Sequence, residues 1–419
     1  MKKIFTRIMK LFYKYDSRYT IVKNKELKYD KTVVWSLDHS WNSVEWCLPG
    51  LYFLRKHYNV NMVFFAGDSG LWQRCLEEEN VYNIIQKIFD VIIINTYDEL
   101  EHNWINRHIS RLKTSLLREE SLKFFFKNIS VDVLLSMYNP TYVNKYFLEY
   151  HPHTIMVGYE HGICNQIGFP GKNYNKIILS GKDYHFCTDS KAYDLAGDYD
   201  ERKLVVVGAP QLDLWWRKLI SNDKLLNLQK QLGYSKKRIL ILLPALGNIR
   251  LNEEEVKDVL RVIKYFHNKE NVLLKFHPRE NKSNRTNFMQ SIYNYCQDDN
   301  IIVTTMSTEC VATIADCVVV VGITSAAGAA SINDVPVIEF HNDKNVEGFY
   351  YEDGQYGTLL RVKGAIMGAN NYESLRDAVN QVLYDNAWDA YRGKYKKYIL
   401  HDDLSSKRFA ESLMHILYA

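Results

Sequence analysis

The sequence predicts an α/β chain of two Rossmann-like domains facing a cleft, and three observations predict it. Short apolar runs alternate with helical patterns along all 419 residues, the signature of βα units on parallel sheets. A chain of this length exceeds the usual size of a single core and divides naturally in two. Segments rich in Gly, His and hydroxyl residues fall just past apolar runs, where open α/β sheets bind their ligands. The division is drawn at 217/218, so that residues 1–217 form one Rossmann-like domain and 218–419 a second with C-terminal helices. The joint lies near 215–223.

In the first domain, residues 32–37 read as a strand and 46–57 as a helix burying Leu48, Leu51, Tyr52 and Leu54. A second strand, 61–66, ends at a loop, 67–70. Strands follow at 91–95, 131–136, 154–157, 184–188 and 203–207, with helical segments between them. In the second domain, 238–243 is a strand and 253–266 a helix with Val256, Val259, Leu260 and Ile263 on one face. Residues 271–276, 301–304, 317–321 and 335–340 are strands. The run 317–321 is apolar throughout, as a strand buried on both faces requires. Ser374 caps a helix carrying Leu375, Ala378, Val379, Val382 and Leu383. The chain ends in an amphipathic helix through Phe409, Leu413, Ile416 and Leu417.

Composition narrows the function classes. Apolar residues make up 47% and charged residues 24%, an ordinary globular balance. A net charge of +4 without a concentrated basic face gives no reason to expect a nucleic-acid partner. The seven cysteines are odd in number and scattered, with no CxxC, which argues against a disulfide framework and a zinc site. No apolar run approaches the roughly 18–20 residues that span a bilayer. Residues 1–15 stand apart: Ile4, Phe5, Ile8, Met9 and Phe12 share a helical face, interleaved with Lys2, Lys3, Arg7, Lys10 and Lys14. This pattern fits a basic helix lying on an anionic membrane surface. It also fits a first helix packed on the domain. It lacks the continuous apolar region of a signal peptide, so the expected location is cytoplasmic, peripheral on the inner face of the plasma membrane if the helix meets lipid.

Five segments carry residue types suited to chemistry. Lys275-Phe276-His277-Pro278-Arg279 follows the apolar run 272–274. Pro278 cannot continue a strand ladder, so His277 sits at the strand's carboxyl end. Lys275, His277 and Arg279 suit a phosphate-rich ligand, and with Pro278 they are read as donor-binding; the competing reading is a solvated basic turn. Gly322-Ile323-Thr324-Ser325 follows the run 317–321 and precedes a helix of small residues. Gly322, Thr324 and Ser325 are therefore read as an anion site, or more simply as a helix cap.

Gly158-Tyr159-Glu160-His161-Gly162 places a histidine beside a carboxylate after a strand. His161 is a candidate general base on an incoming hydroxyl. Glu160 is the alternative base, with His161 on phosphate, and a structural loop histidine is the third reading. Gly208 and Pro210 force a tight turn at the joint, equally a donor contact and a structural hinge. In the loop after the first strand, Asp38 is a further base candidate. His39 and Trp41 are candidate acceptor contacts, with Trp41 stacking on a sugar; an ordinary polar loop competes. No Gly-x-Gly-x-x-Gly, Walker A, His-Glu-x-x-His, Gly-x-Ser-x-Gly or DxD-type metal motif is found in a convincing context. No metal or other cofactor is expected.

The order of these segments resembles a known family. Glu160-His161-Gly162, Tyr184-His185-Phe186-Cys187-Thr188, residues 205–213, Lys275–Arg279, Ala315-Asp316, the turn 324–330 and Val335-Pro336-Val337-Ile338 follow one another as in the GT-B glycosyltransferase superfamily. More narrowly the chain looks like the bacterial surface-polysaccharide transferases: the teichoic-acid glycerophosphotransferases and related capsule transferases with cytidine-nucleotide donors. The likeness covers roughly residues 150–345 by the positions of the motifs. It implies that His161 is the base or a phosphate ligand, and that His277, Thr324 and Ser325 hold donor phosphates. Where the glycerophosphotransferases carry Asp-Tyr-Ser-Ser, this chain reads Gly322-Ile323-Thr324-Ser325. That departure admits a sugar or a nonulosonate of sialic-acid or Kdo type as donor group beside a polyol phosphate.

The implied partners are a nucleotide-activated donor and a glycan or lipid-linked acceptor of a bacterial surface polymer. A UDP-sugar transferase, a UDP-sugar 2-epimerase and a non-catalytic glycan-assembly protein are the rival readings.

Overall fold

The apolar runs resolve into two separate sheets. A computed structural model of the protein describes residues 19–37, 41–67, 69–95, 129–137, 151–159, 181–188, 203–244, 252–278, 280, 282–297, 301–322, 324–342 and 357–419. The first half runs β1 (Tyr19–Lys23), β2 (Thr32–Leu37), α1 (Trp41–His57), β3 (Asn61–Ala66), α2 (Ser69–Glu77), α3 (Glu79–Ile88), β4 (Val91–Asn95), β5 (Val133–Leu135), β6 (Ile155–Tyr159), β7 (Tyr184–Cys187) and β8 (Leu204–Val206). These strands form one sheet in the order β1-β4-β3-β2-β5-β6-β7-β8. All neighbours are parallel except β1, which pairs antiparallel with β4 at the edge.

A single helix, α4 (Leu214–Leu232), leads into the second half. There follow β9 (Arg238–Leu242), α5 (Glu253–Phe266), β10 (Asn271–Lys275), α6 (Lys282–Cys296), β11 (Ile302–Thr304), α7 (Thr308–Val311), β12 (Cys317–Val321), α8 (Ala326–Ser331), β13 (Val337–Phe340), α9 (Leu359–Val362), β14 (Met367–Ala369), α10 (Tyr372–Tyr384) and α11 (Ser405–Tyr418). The sheet order, β11-β10-β9-β12-β13-β14, is that of a doubly wound Rossmann sheet, with every pair parallel. The strand order reverses between β9 and β12. The corresponding reversal in the first sheet lies between β2 and β5.

Both sheets are covered on both faces, which explains their unbroken apolar runs. In β12, Cys317, Val319 and Val321 enter one core while Val318 and Val320 enter the other. The first sheet divides likewise: Val33, Trp35 and Leu37 of β2 point to a core shared with α1, and Val34 to the opposite one.

Several expectations need correction. Helix α1 begins at Trp41 rather than 46 and tolerates Pro49 in its interior, where proline removes the bond otherwise given to residue 45. Ser69 and Gly70 belong to α2, not to a loop. Strand β6 continues through Gly158 and Tyr159. Asn371, not Ser374, caps α10, because the two form a reciprocal capping box: Asn371 Oδ1 accepts from Ser374 N at 2.9 Å and Ser374 Oγ from Asn371 N at 3.2 Å. The expected boundary at 217/218 assigned the last helix to the second half. Instead Phe409, Ala410, Leu413, Ile416 and Leu417 of α11 pack into the first half's core beside α1, since an apolar stripe must find an apolar partner wherever the chain leads it. The joint near 215–223 is helical throughout.

Candidate functional site

The carboxyl ends of the second sheet's strands meet the first half in an open cleft. Lys275 is the last residue of β10, and His277 and Pro278 form the turn beyond it. Thr324 and Ser325 lie past the end of β12 and line the same space. Five sequence-predicted donor residues are thus brought together. The facing wall comes from the opening turns of α1, through Asn42 and Glu45. Gln211 completes that wall, and Glu309 joins the donor side. The His-Pro turn is pinned across the two halves, because Arg74 of α2 donates to the Pro278 carbonyl at 3.0 Å. Arg279 lies outside the described residues.

The electrostatics of this floor are unusual. Lys275 is only 7% exposed. Burial pushes its pKa down, and the neighbouring carboxylates Glu45 and Glu309 push it back up. Glu309 is 3% exposed, and burial, reinforced by Glu45, lifts its carboxyl to about 7. Glu45 is raised by burial as well, opposed by Lys275 and Arg74. One buried ammonium therefore stands among two carboxylates, and a buried charge is tolerable only with such compensation. Arg74 and Arg285 add further positive field at Lys275. The set can hold an anion on its cations and accept hydroxyl or proton on its carboxylates.

Glu309 owes its position to its backbone. Its carbonyl accepts from Asn333 Nδ2 at 2.9 Å and from Arg217 Nη1 at 3.4 Å. Its Oε1 is buried and makes no hydrogen bond among the described residues, which marks a group awaiting a partner. The late turn is more modest. Gly322 has φ +76, a conformation suited to glycine. Thr324 Oγ1 accepts from Ala326 N at 3.4 Å, so its hydroxyl also serves as a local cap. Helix α8 is only six residues long.

The first half's motifs fare differently. Asp38, His39, Glu160 and His161 lie outside the described residues, directly after β2 and β6. Gly158 lies inside β6, where an added Cβ would come within 2.6 Å of His185 Nδ1; its small size serves packing. Tyr159 is a core residue whose hydroxyl accepts from Trp35 Nε1 at 3.2 Å. Trp41 is 5% exposed, donates to Glu45 Oε1 at 3.1 Å and carries the Arg74 guanidinium 4.1 Å over its ring. It props Glu45 through that hydrogen bond, and it also lines a second space between the two halves. Gly208 and Pro210 do not line the cleft. Gly208 has φ +86, and a Cβ there would fall 2.3 Å from Ser405 Oγ. The expected hinge is in fact a clamp: Asp213 accepts from Ser405 N and Ser406 N at 3.2 and 2.7 Å, and Arg408 Nε donates to the Val207 carbonyl at 3.0 Å.

Sequence reasoning missed Glu45, Arg74 and Glu309. The first two sit on helices, not in strand-end loops, and Glu309 lies in a one-turn helix just past β11. Only the Trp41–Glu45 spacing, one helical turn apart, hinted at the arrangement. Among the described residues, no cluster of His, Cys, Asp and Glu is arranged to hold a metal ion, and no helix is long and apolar enough to cross a membrane.

No family model matches the sequence, and no curated protein matches it. Solved structures do. MnaA of S. aureus, in complex with UDP, aligns with a TM-score of 0.60 at 13% identity over 93% of this chain and 97% of its own. The wall teichoic acid polymerase TagF aligns at 0.55 and 14% identity over 94% of this chain and 90% of its own. A glycosyltransferase of Rickettsia africae aligns at 0.50 and 11% identity over 93% and 98%. The fold expected from the order of the motifs is the fold found: two Rossmann-like domains of GT-B type.

Proposed function

We propose that this GT-B chain is a transferase moving a sugar, a nonulosonate or a polyol phosphate from a nucleotide-activated donor to a hydroxyl of a bacterial surface glycan. The observation that carries the reading is the single cleft in which Lys275, His277, Thr324 and Ser325 of one half face Asn42 and Glu45 of the other. In the reaction, negative charge builds on the leaving nucleotide phosphate. Lys275, His277 and Arg279 stabilise it, with the hydroxyls of Thr324 and Ser325 helping to orient it, so that protein groups suffice for the electrostatic work. The proton of the incoming hydroxyl goes to the first half, where the sequence offers His161, Glu160 and Asp38. A cytidine nucleotide is favoured by the order of the motifs.

A second reading is supported by the alignment to MnaA with UDP and to a UDP-N-acetylglucosamine 2-epimerase at 16% identity and a TM-score of 0.56. It makes the chain a UDP-sugar 2-epimerase. Incubation with CMP-, CDP- and UDP-activated donors, with and without acceptor glycan, separates the two. Acceptor-dependent nucleotide release supports transfer. An epimerised UDP-sugar without acceptor supports the rival, and no turnover of any donor removes both. The basic segment 1–15 supports a peripheral place on an anionic membrane surface. Deleting residues 1–14 is expected to move the protein from the membrane to the soluble fraction, and a wild-type chain never found with membranes refutes that placement.

A further inference from the structure

A second cavity, open to solvent, shares Glu45 with the donor cleft. The segment after β11 passes from one to the other: Thr305, Met306 and Ser307 line the second cavity, and Thr308 and Glu309 the first. The second cavity also lies between the halves, since α1, the start of α3 and the linking helix α4 all contribute. Its lining mixes Val44, Val81, Ile220 and Met306 with Asn80 and Thr305. Its charged pair is internally balanced, because Lys224 Nζ meets Glu78 Oε2 at 2.5 Å. Trp216 is 1% exposed, yet its indole Nε1 is buried with no hydrogen bond among the described residues. A buried donor left unpaired costs stability unless a ligand or water satisfies it. Apart from that ion pair the only charged group among the described residues of the lining is Glu45, and apolar and hydroxyl-binding walls with the indoles of Trp41 and Trp216 fit an uncharged ring that carries hydroxyls.

We propose that this second cavity is the acceptor site, taking an uncharged, hydroxylated sugar ring, and that Glu45 on the shared wall, in place of His161, Glu160 or Asp38, receives the proton of the attacking hydroxyl. The proposal rests on the transferase reading above. The acceptor oxygen bonds to the transferred atom of the donor. The bond from that atom to the nucleotide's phosphate oxygen breaks, and its electron pair leaves with the nucleotide. The acceptor proton passes to the Glu45 carboxylate. Glu45 is held for this by Trp41, whose Nε1 donates to Oε1 at 3.1 Å. Its basicity is helped by burial, which raises its pKa.

Saturation-transfer NMR with lactose, maltose, cellobiose and N-acetylglucosamine tests the site, with the thermal shift caused by CMP, CDP and UDP as the donor readout. At least one sugar is expected to bind the wild-type chain. Thr305→Trp, at an exposed position, should weaken that signal about tenfold while the nucleotide shift stays. Asn80→Ala should weaken it less and guards against misfolding of the larger substitution. Glu45→Gln should keep the sugar signal and lower transfer to that sugar by about 100-fold. Failure of every sugar to bind, or binding unaltered by Thr305→Trp and Asn80→Ala, overturns the acceptor site. Undiminished transfer in Glu45→Gln overturns the role of Glu45. Absence of any nucleotide shift in the wild-type chain removes the transferase reading itself, a separate outcome.

Discussion

The two walls of the cleft are built by different means. The donor-side wall is set by backbone: Lys275 closes β10, Glu309 lies just past β11 and Thr324 just past β12. The facing wall is set by side chains on helices: Asn42 and Glu45 project from α1, and Arg74 reaches from α2 to the Pro278 carbonyl. A parallel sheet fixes where its strand ends lie, so residues there are placed by topology alone. A helix residue reaches the cleft only if its face and turn are right, and that depends on tertiary packing. The contrast implies that substitutions on the donor wall change ligand affinity through charge, whereas those beneath the facing wall change the support of the cleft.

The largest effect is expected at Lys275. Lys275→Ala leaves Glu45 and Glu309 without the buried cation between them and should destabilise the fold by about 3–5 kcal/mol, with nucleotide binding lost. Denaturant unfolding measures it. Adding Glu309→Gln to Lys275→Ala should recover part of the loss, because the double variant buries one carboxylate fewer without the cation; no recovery would separate the two groups. Next comes Gly208→Ala, with φ +86 and Ser405 Oγ in the path of the new Cβ, at about 1–3 kcal/mol. Since Gly208 belongs to the clamp, any folded fraction should bind nucleotide as the wild type does. Gly322→Ala has the same backbone problem but open space, its nearest neighbour being Pro244 at 3.8 Å. It should cost only about 1 kcal/mol, yet impair nucleotide affinity, because the turn it shapes faces the donor. Equal affinity losses at both glycines would erase the distinction between the clamp and the donor wall.

A smaller, pH-dependent effect belongs to Glu309. Its folded pKa, about 7, stands above the ordinary 4.5. The group's contribution is therefore fully present below about pH 4.5 and is lost as the pH rises through about 7. Melting temperature should fall across that window in the wild-type chain. Glu309→Gln should flatten the slope, and an unchanged slope would mean that another group titrates there.

Legibility in the sequence divides along the same contrast. The apolar run 317–321 names a strand buried on both faces, and β12 occupies those residues. The helix at 253–266 has the predicted bounds because its periodicity and the Asn252–Glu255 capping box agree. Lys275, His277, Thr324 and Ser325 are legible because each lies at or just past the carboxyl end of a strand. Glu45 escapes because it lies one turn inside a helix whose start at Trp41 reads as loop. Trp41 reads as a loop residue for the same reason, whereas it opens α1 and its indole stands against Glu45 and Arg74. The edge strand β1 is hidden because its short sequence, Tyr19–Lys23, leaves Ile21 44% exposed and shows little of an apolar run. The return of α11 to the first half is invisible because an amphipathic stripe states that a helix packs, not on what.

The central claim is that the strand-end wall around His277 holds the phosphates of a nucleotide. Thermal-shift titration of the wild-type chain and of His277→Ala with CMP, CDP, UDP and GDP tests it directly, since a ligand that binds the folded state raises its stability. A pyrimidine nucleotide should raise the melting temperature of the wild-type chain and leave that of a folded His277→Ala variant unchanged. Equal shifts in both proteins, or no shift from any nucleotide, would contradict it.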